Sequence, residues 1–298
     1  MTSYVLQFQR SLSAKVHEYL VLCKHKVVML LALTAVVGQG LAPYVGRSLL
    51  EQMLTIVGIA LLASSAAVIN HIVDSDIDKK MKRTDSRPVA TGSVTNRQAF
   101  VFSMTLLVIG FCMLVAYANW LTAWLTLVAL VGYAFIYTLV LKRRTPQNIV
   151  IGGFAGAMPP LLGWVSETGS MSAEPWLLVM IIFTWTPPHF WALAIDRKKD
   201  YENAKVPMLP VTHGIEFTKT MVLLYSVLLT LVCVLPFLIG MSGNFYLAIS
   251  VLLNGVFMYR AWELKFAAKE KSAIKLFIYS IWQLMILFIA LFIDKWLI

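Results

Sequence analysis

Charge is what this chain has least of. Only 13% of its 298 residues are Asp, Glu, Lys or Arg, against 59% apolar, a balance outside the range of water-soluble domains. The charges are also clumped, which leaves no room for a separate soluble domain. Cysteine is almost as scarce. Cys23, Cys112 and Cys233 show no C-x-x-C spacing, which argues against a disulfide framework, a cysteine metal cluster or covalent haem attachment. No glycine-rich phosphate loop and no Ser/His/Asp-type nucleophile arrangement is present. No small-residue cleavage site precedes the first apolar run, so no removable signal peptide is expected, and the N-terminal arm is too poor in Arg and Ser for a mitochondrial presequence.

What is there instead is a series of uncharged runs. Nine can be cut out, at roughly 27–46, 52–73, 99–118, 119–141, 148–166, 175–195, 221–241, 244–259 and 276–293. Most reach the about 17–25 residues that a spanning helix needs; 244–259 needs its flanks. The expected fold is therefore all-α and polytopic, with nine transmembrane helices in one domain (26–298) behind a short arm (1–25). The arm mixes apolar and basic residues and suits an amphipathic surface helix.

Orientation follows from Lys and Arg. With the N-terminus in the cytoplasm, 23 of the 25 basic residues fall on the inner side, leaving only Arg47 and Lys295 outside. That asymmetry predicts N-terminus in and C-terminus out, in the cytoplasmic membrane of a bacterium. The net charge of +10 is then a topological signal plus attraction to anionic membrane lipid, with a share left for an anionic substrate. It carries no argument for nucleic acid.

The stretch around which the chain is organised is Asn70–Gly92, NHIVDSDIDKKMKRTDSRPVATG. Read as one helix, Asn70, Asp74 and Asp78 fall at i, i+4 and i+8 and drift only about 80° around the axis, so three oxygen side chains share a face. Asp76 points away and is expected to be solvated. Such a set suits Mg²⁺, typically held by one or two carboxylates together with water and substrate phosphates. The cations that follow (Lys79, Lys80, Lys82, Arg83, Arg87) suit the phosphates.

A second copy strengthens this reading. Asp74 and Asp78 are followed after nine residues by Pro88-Val89-Ala90-Thr91-Gly92; Asp196 and Asp200 are followed after nine by Pro210-Val211-Thr212-His213-Gly214. Both read D-x3-D-x9-P-V-x-x-G, 122 residues apart, an internal parallel repeat. Helices 2 and 6 run the same way and place both acidic motifs at their cytoplasmic ends. Asn70 is matched by Ala192 in the second copy, so two unequal metal sites clamping one polyphosphate are expected.

Other features gather at the same end. Helix 4 closes in Tyr137-Thr138 and then Lys142-Arg143-Arg144-Thr145-Pro146-Gln147-Asn148, and Pro146 is expected to start helix 5, which is rich in Gly and Ala and suits close packing or a cavity wall. Helix 6 carries Trp185-Thr186-Pro187-Pro188-His189 before Asp196, and its two prolines predict a kink. His189 lies two turns before Asp196, about 10 Å deeper on the same face, either packed in the core or lining a substrate cavity. Helices 7 to 9 read as scaffold.

Carboxylates and cations at the mouth of an apolar bundle fit a lipid-soluble diphosphate ester. Departure of diphosphate is the step that needs help, from Mg²⁺ and from Arg and Lys, and the apolar interior shields the resulting carbocation from water. Transfer of an isoprenyl group fits best.

The N-x3-D-x3-D motif on helix 2, D-x3-D on helix 6 and nine spans resemble the intramembrane aromatic prenyltransferase superfamily typified by the 4-hydroxybenzoate polyprenyltransferases. RTDSRPVATG (83–92), LKRRTPQNIVIGGFAGAMPPLLGW (141–164), WTPPHFWALAI (185–195) and NAKVPMLPVTHG (203–214) are similar to its haem-farnesylating branch. That resemblance implies farnesyl diphosphate as donor, a vinyl group of haem B as acceptor, and haem O with diphosphate as products, for use by haem A synthase or terminal oxidase assembly. It also implies Asn70, Asp74 and Asp78 as the first Mg²⁺ site and Asp200 with Asp196 as the second. Arg83, Arg87, Lys142 and Arg143 would hold diphosphate, with Lys199 and Asn148 on the substrate, and Trp185 and His189 would face the porphyrin. The branch often carries a non-acidic residue at the position of Asp196, which ranks Asp200 ahead of it.

Two rival readings remain at this level. A sister prenyltransferase acting on a quinone precursor or chlorophyllide would share the metal motifs. A transporter would place its ionisable residues near the bilayer midplane at broken helices, whereas these sit at helix ends among cations.

Overall fold

The structure, a computed structural model, describes residues 13–267 and 270–297. Nearly half of the N-terminal arm (1–12) lies outside the described residues, and so do Arg10 and Lys269, both counted above with the inner basic residues. Among those described there is no strand. Eight helices are long and apolar enough to cross a membrane: α3 (Leu49–Val73), α6 (Asn96–Tyr117), α7 (Trp120–Arg144), α8 (Asn148–Thr168), α9 (Glu174–Asp196), α12 (Gly214–Leu238), α13 (Asn244–Ala267) and α14 (Ser272–Asp294). Among the described residues a ninth is reached if α1 (Ser13–Leu22) and α2 (His25–Leu41), which meet at a 56° bend, are taken together as one span. The described part of the arm is thus helical, as an amphipathic reading requires. Short helices α4 (Ser75–Asp78), α5 (Pro88–Thr91), α10 (Lys198–Asn203) and α11 (Leu209–Thr212) build the loops at the motif-bearing end.

The helix ends depart from the uncharged runs in a consistent way. Lys142–Arg144 complete α7, Lys219 lies inside α12, and Arg260 and Lys265 lie inside α13. Long basic side chains reach the membrane surface from within a helix, so a break in hydropathy does not mark the end of the backbone hydrogen bonds. Helix starts obey local chemistry more closely. Ser48 with Glu51 and Thr95 with Gln98 form capping boxes that begin α3 and α6. The expected start of α8 at Pro146 moves to Asn148. α9 runs through Pro187 and Pro188 without interruption, so no break accompanies the prolines.

The repeat extends well beyond the motifs. Displaced by 122 residues, α3 falls on α9, α6 on α12, α7 on α13 and α8 on α14. The third helix of each half also passes into a π-helical stretch, Gly132–Leu141 in one and Glu263–Ala267 in the other. In each loop the Pro-Val segment forms a one-turn helix that ends near a glycine in the left-handed region. Gly92 and Gly214 both have φ +82°, a conformation glycine adopts without penalty.

Lipid tails are as apolar as leucine, so spanning helices are held by close packing rather than by hydrophobic collapse. The contact of α2 with α8 shows this. A Cβ on Gly38 would stand 2.0 Å from the Pro160 carbonyl oxygen, and one on Gly163 would stand 2.0 Å from that of Ala35. The two backbones touch because neither residue has a side chain. α9 lies at the centre, packed by α8, α12 and α14. Exposed Leu, Val, Ile, Phe and Trp side chains on the outer helices form the lipid-facing surface of an integral membrane protein.

Candidate active site

The first acidic motif is not one continuous helix. α3 ends at Val73, Asp74 adopts φ −88°, ψ 0°, and the chain re-forms as α4. The three oxygen side chains are nevertheless buried together: Asn70 is 3% exposed, Asp74 0% and Asp78 2%. Asp76 is exposed, as expected. Backbone bonds from Asp74 N–H to the Asn70 carbonyl at 2.9 Å and from Asp78 N–H to the Asp74 carbonyl at 2.8 Å carry the i, i+4 register through the turn, so the three side chains stay together.

Asn70 is the hub. Its Nδ2 donates to Asp74 Oδ2 at 2.7 Å and to Thr138 Oγ1 at 3.3 Å. Lys24 Nζ donates to Asn70 Oδ1 at 2.6 Å. Thr138 reaches this position through the π-helical stretch of α7, where its hydroxyl donates to the Tyr133 carbonyl five residues back at 2.8 Å. Such π segments recur at functional sites because they re-aim side chains. Tyr133 and Tyr137 stack at 5.3 Å beside the cluster, with Lys24 5.9 Å above the Tyr133 ring. Burial, reinforced by Arg87, lowers the Lys24 ammonium to about 7.

Each carboxylate has its own cation. Lys142 pairs with Asp74 Oδ2, and Arg87 Nη1 reaches both oxygens of Asp78 at 2.9 and 2.8 Å. Asp74 Oδ1 is buried and has no hydrogen-bond partner among the described residues. An orphaned anionic oxygen inside a cation-lined cluster is costly unless it meets a ligand, and it suits a hard divalent ion. Among the described residues no three His, Cys, Asp or Glu side chains gather as a metal cluster. The oxygen set is two carboxylates and an amide, enough for an ion that takes its remaining ligands from water and phosphate.

The second motif is looser. Asp196 is exposed and pairs with its neighbour Arg197 at 3.2 Å. Asp200, half-buried on α10, has no ion pair among the described residues. The motifs are linked through the next residue, Tyr201. Arg83 lies beside its phenol, with Arg87 and Asp200 near, and burial raises that phenol above its ordinary range against the pull of Arg83. The basic loop of one motif therefore meets the acidic element of the other.

Other expected site residues divide. Arg143 donates to the Val73 carbonyl at 2.8 Å and so caps α3. Asn148 is buried, its amide nitrogen donating to the Thr145 carbonyl at 2.7 Å and its Oδ1 without a partner among the described residues. Lys199 is exposed, with no hydrogen bond or ion pair among the described residues. His189 does not sit on an open wall. Its ring is clamped between Trp185 at 4.1 Å and Phe277 at 4.5 Å, and Nδ1 is 2.6 Å from Ser280 Oγ.

Sequence reasoning missed Lys24, Tyr133, Tyr201 and Ser280. Lys24 registered only as a topological charge, Tyr133 and Tyr201 lay within helix 4 and the second motif without being singled out, and Ser280 lay in a helix read as scaffold. Nothing local marks them, because each meets its partner across the fold.

The model of the UbiA prenyltransferase family matches residues 31–291. The chain is 64% identical over 282 residues to a protein of Psychromonas ingrahamii named Protoheme IX farnesyltransferase, covering 95% of this chain and 91% of that one. A solved structure of digeranylgeranylglyceryl phosphate synthase superposes with a TM-score of 0.76 at 20% identity, covering 94% of this chain and 98% of the other. A UbiA homologue from Archaeoglobus fulgidus bound to GPP and Mg²⁺ superposes with a TM-score of 0.63 at 16% identity, covering 92% and 99%. An all-helical membrane bundle with paired acidic motifs at one end, matched over nearly its whole length, belongs to the UbiA prenyltransferase family.

Proposed function

We propose that this protein transfers the farnesyl group of farnesyl diphosphate to a vinyl group of haem B, with addition of water, giving haem O and diphosphate. The donor follows from the site: buried carboxylates, each with a cation, at the end of an apolar bundle able to take a hydrocarbon tail. The acceptor follows from a relative 64% identical along 95% of the chain. That identity is the observation that carries the reading.

Asn70, Asp74 and Asp78 would hold one Mg²⁺, with Asp200, and secondarily Asp196, on the second motif. The orphaned Asp74 Oδ1 and the GPP and Mg²⁺ bound by the Archaeoglobus fulgidus homologue support this. Bound there, the metal would neutralise charge on the phosphate oxygens. Arg83, Arg87 and Lys142 bind the diphosphate, assisted by Arg143 and Lys199 from the rim; Asn148, whose free Oδ1 can only accept, would meet a donor beside them rather than the phosphate oxygens. The allylic C–O bond breaks with its electron pair leaving on diphosphate. The terminal vinyl carbon of haem forms the new C–C bond, and water adds to the adjacent carbon with loss of a proton. The packed apolar helices keep water from the allylic cation until the C–C bond has formed. Trp185 and His189 are assigned to the porphyrin side, with His189 on the iron.

The charged end faces the cytoplasm of a bacterial inner membrane, a reading supported by the placement of 23 of the 25 basic residues. Haem A synthase or a terminal oxidase assembly would receive the product. The test is pigment extraction from membranes given haem B, farnesyl diphosphate and Mg²⁺, followed by mass spectrometry. A haem heavier by one farnesyl group and one hydroxyl group is expected. Unmodified haem, with diphosphate released when an aromatic acid is offered, would move the chain to the quinone branch.

A further inference from the structure

Ser280 lies on α14, 91 residues from His189 and 95 from Trp185, and it binds both. Its carbonyl accepts from Trp185 Nε1–H at 2.9 Å, and its Oγ lies 2.6 Å from His189 Nδ1. The same Oγ lies 2.6 Å from the Phe277 carbonyl oxygen. A serine hydroxyl has one proton to give. The Phe277 carbonyl can only accept, so at 2.6 Å it must receive that proton; otherwise two lone pairs would face each other. Ser280 Oγ is then an acceptor toward His189, and Nδ1 must carry hydrogen. The chain of donors runs from His189 Nδ1–H to Ser280 Oγ–H to the Phe277 carbonyl. The lone pair of the neutral imidazole is left on Nε2.

The ring cannot readily turn to exchange its nitrogens. Trp185 stacks on one face with planes 19° apart, Phe277 on the other at 28°, and Phe190 meets the ring edge-on at 5.0 Å. Trp185 is itself tied to Ser280, which is fully buried. One residue of α14 therefore fixes both the plate beneath the imidazole and its tautomer.

We propose that Ser280 is a positioning residue: it locks His189 in the Nδ1–H tautomer and so presents Nε2 as the nitrogen that ligates haem iron. This rests on haem B as the acceptor. Histidines that bind metals generally use the N–H of the other ring nitrogen to set tautomer and orientation, and loss of that partner typically costs about 10–100-fold in metal affinity.

The test uses the full chain in detergent or bilayers, with ¹⁵N-labelled histidine and a haemin titration followed by its absorbance. The imidazole signal lost in His189→Gln identifies the residue. Wild type is expected to show a protonated Nδ1 and a bare Nε2 before haemin is added. Ser280→Ala is expected to weaken haemin binding about 10-fold or more and to alter the histidine-ligated spectrum, with the KM for farnesyl diphosphate unchanged. Ser280→Thr, which keeps the hydroxyl, is expected to restore both. A bare Nδ1 in wild type would overturn the proposal without touching the assigned reaction. The expected tautomer with unaltered haemin binding in Ser280→Ala would overturn the positioning role. Failure of wild type to bind haemin at all would instead strike the acceptor assignment, and the iron ligation with it.

Discussion

Lys142, at the last turn of α7, ion-pairs with Asp74 at the hinge between α3 and α4 across 68 residues of chain. The pair joins the helix that delivers the acidic motif to the helix that delivers the basic run. Asp74 is fully buried and Lys142 nearly so. Removing one member of such a pair leaves an uncompensated charge, typically worth about 3–5 kcal/mol. Lys142→Met is therefore expected to lower thermal stability in detergent and to lower kcat about 100- to 1,000-fold through loss of a cation at the departing diphosphate. Asp74→Ala removes the orphaned oxygen together with the paired one, and is expected to abolish turnover in a protein that still folds. Haem O production at the wild-type rate by folded Asp74→Ala would remove this residue from the metal site.

Metal removal tests the same cluster without mutation. Asp74 and Asp78 are neutralised by Lys142 and Arg87 within the chain, so the fold does not depend on a divalent ion to balance their charge. Chelation is expected to stop diphosphate release while leaving the melting temperature almost unchanged, and added Mg²⁺ should restore release. A large loss of stability on chelation would mean that the ion is structural.

The contact between α2 and α8 predicts a stability effect away from the site. Gly38 and Gly163 each face a carbonyl oxygen 2.0 Å from where a Cβ would stand, and backbone cannot move aside as a flexible side chain can. Gly38→Ala and Gly163→Ala are each expected to destabilise the bundle by about 1–3 kcal/mol, read as a lower melting temperature in detergent. Gly156→Ala, where nothing lies within 4 Å, serves as the control and should be close to neutral.

The architecture was legible because hydropathy in a bilayer is nearly a direct record of helix position. The repeat was legible because its D-x3-D and Pro-Val-x-x-Gly elements survive as identities, and the glycines at φ +82° give a backbone reason for their recurrence. The hinge at Asp74 was not legible. The i, i+4, i+8 spacing of Asn70, Asp74 and Asp78 reads as uninterrupted helix, and although the i, i+4 backbone bonds persist through the turn, nothing in that spacing shows that Asn70 ties the set to Lys24 and Thr138. Helix ends ran past the hydropathy boundaries at Lys142, Lys219 and Arg260, where snorkelling side chains let charged residues remain helical. His189 was recognised from its string of neighbours, while its partner Ser280 sat in a helix read as scaffold. Pairings between residues 46, 68 and 91 positions apart leave no period for sequence reasoning to detect.

The two carboxylates of the second motif should not be equal, and the structure gives a reason apart from family resemblance. Asp196 is exposed at the end of α9 and is engaged with Arg197 beside it, a solvated pair worth typically about 0–1 kcal/mol. Asp200 is half-buried, has no ion pair among the described residues, and precedes the Tyr201 that lies beside Arg83 of the first motif. A carboxylate without an internal counterion, next to the junction of both motifs, is the one able to give its charge to a bound metal. Asp200→Asn is therefore expected to reduce kcat about 100-fold or more and to raise the Mg²⁺ concentration needed for half-maximal diphosphate release. Asp196→Asn is expected to cost less than about 10-fold, with little shift in the Mg²⁺ requirement. Equal losses in the two variants would mean that Asp196 leaves Arg197 when substrate binds, and that both carboxylates reach the second ion.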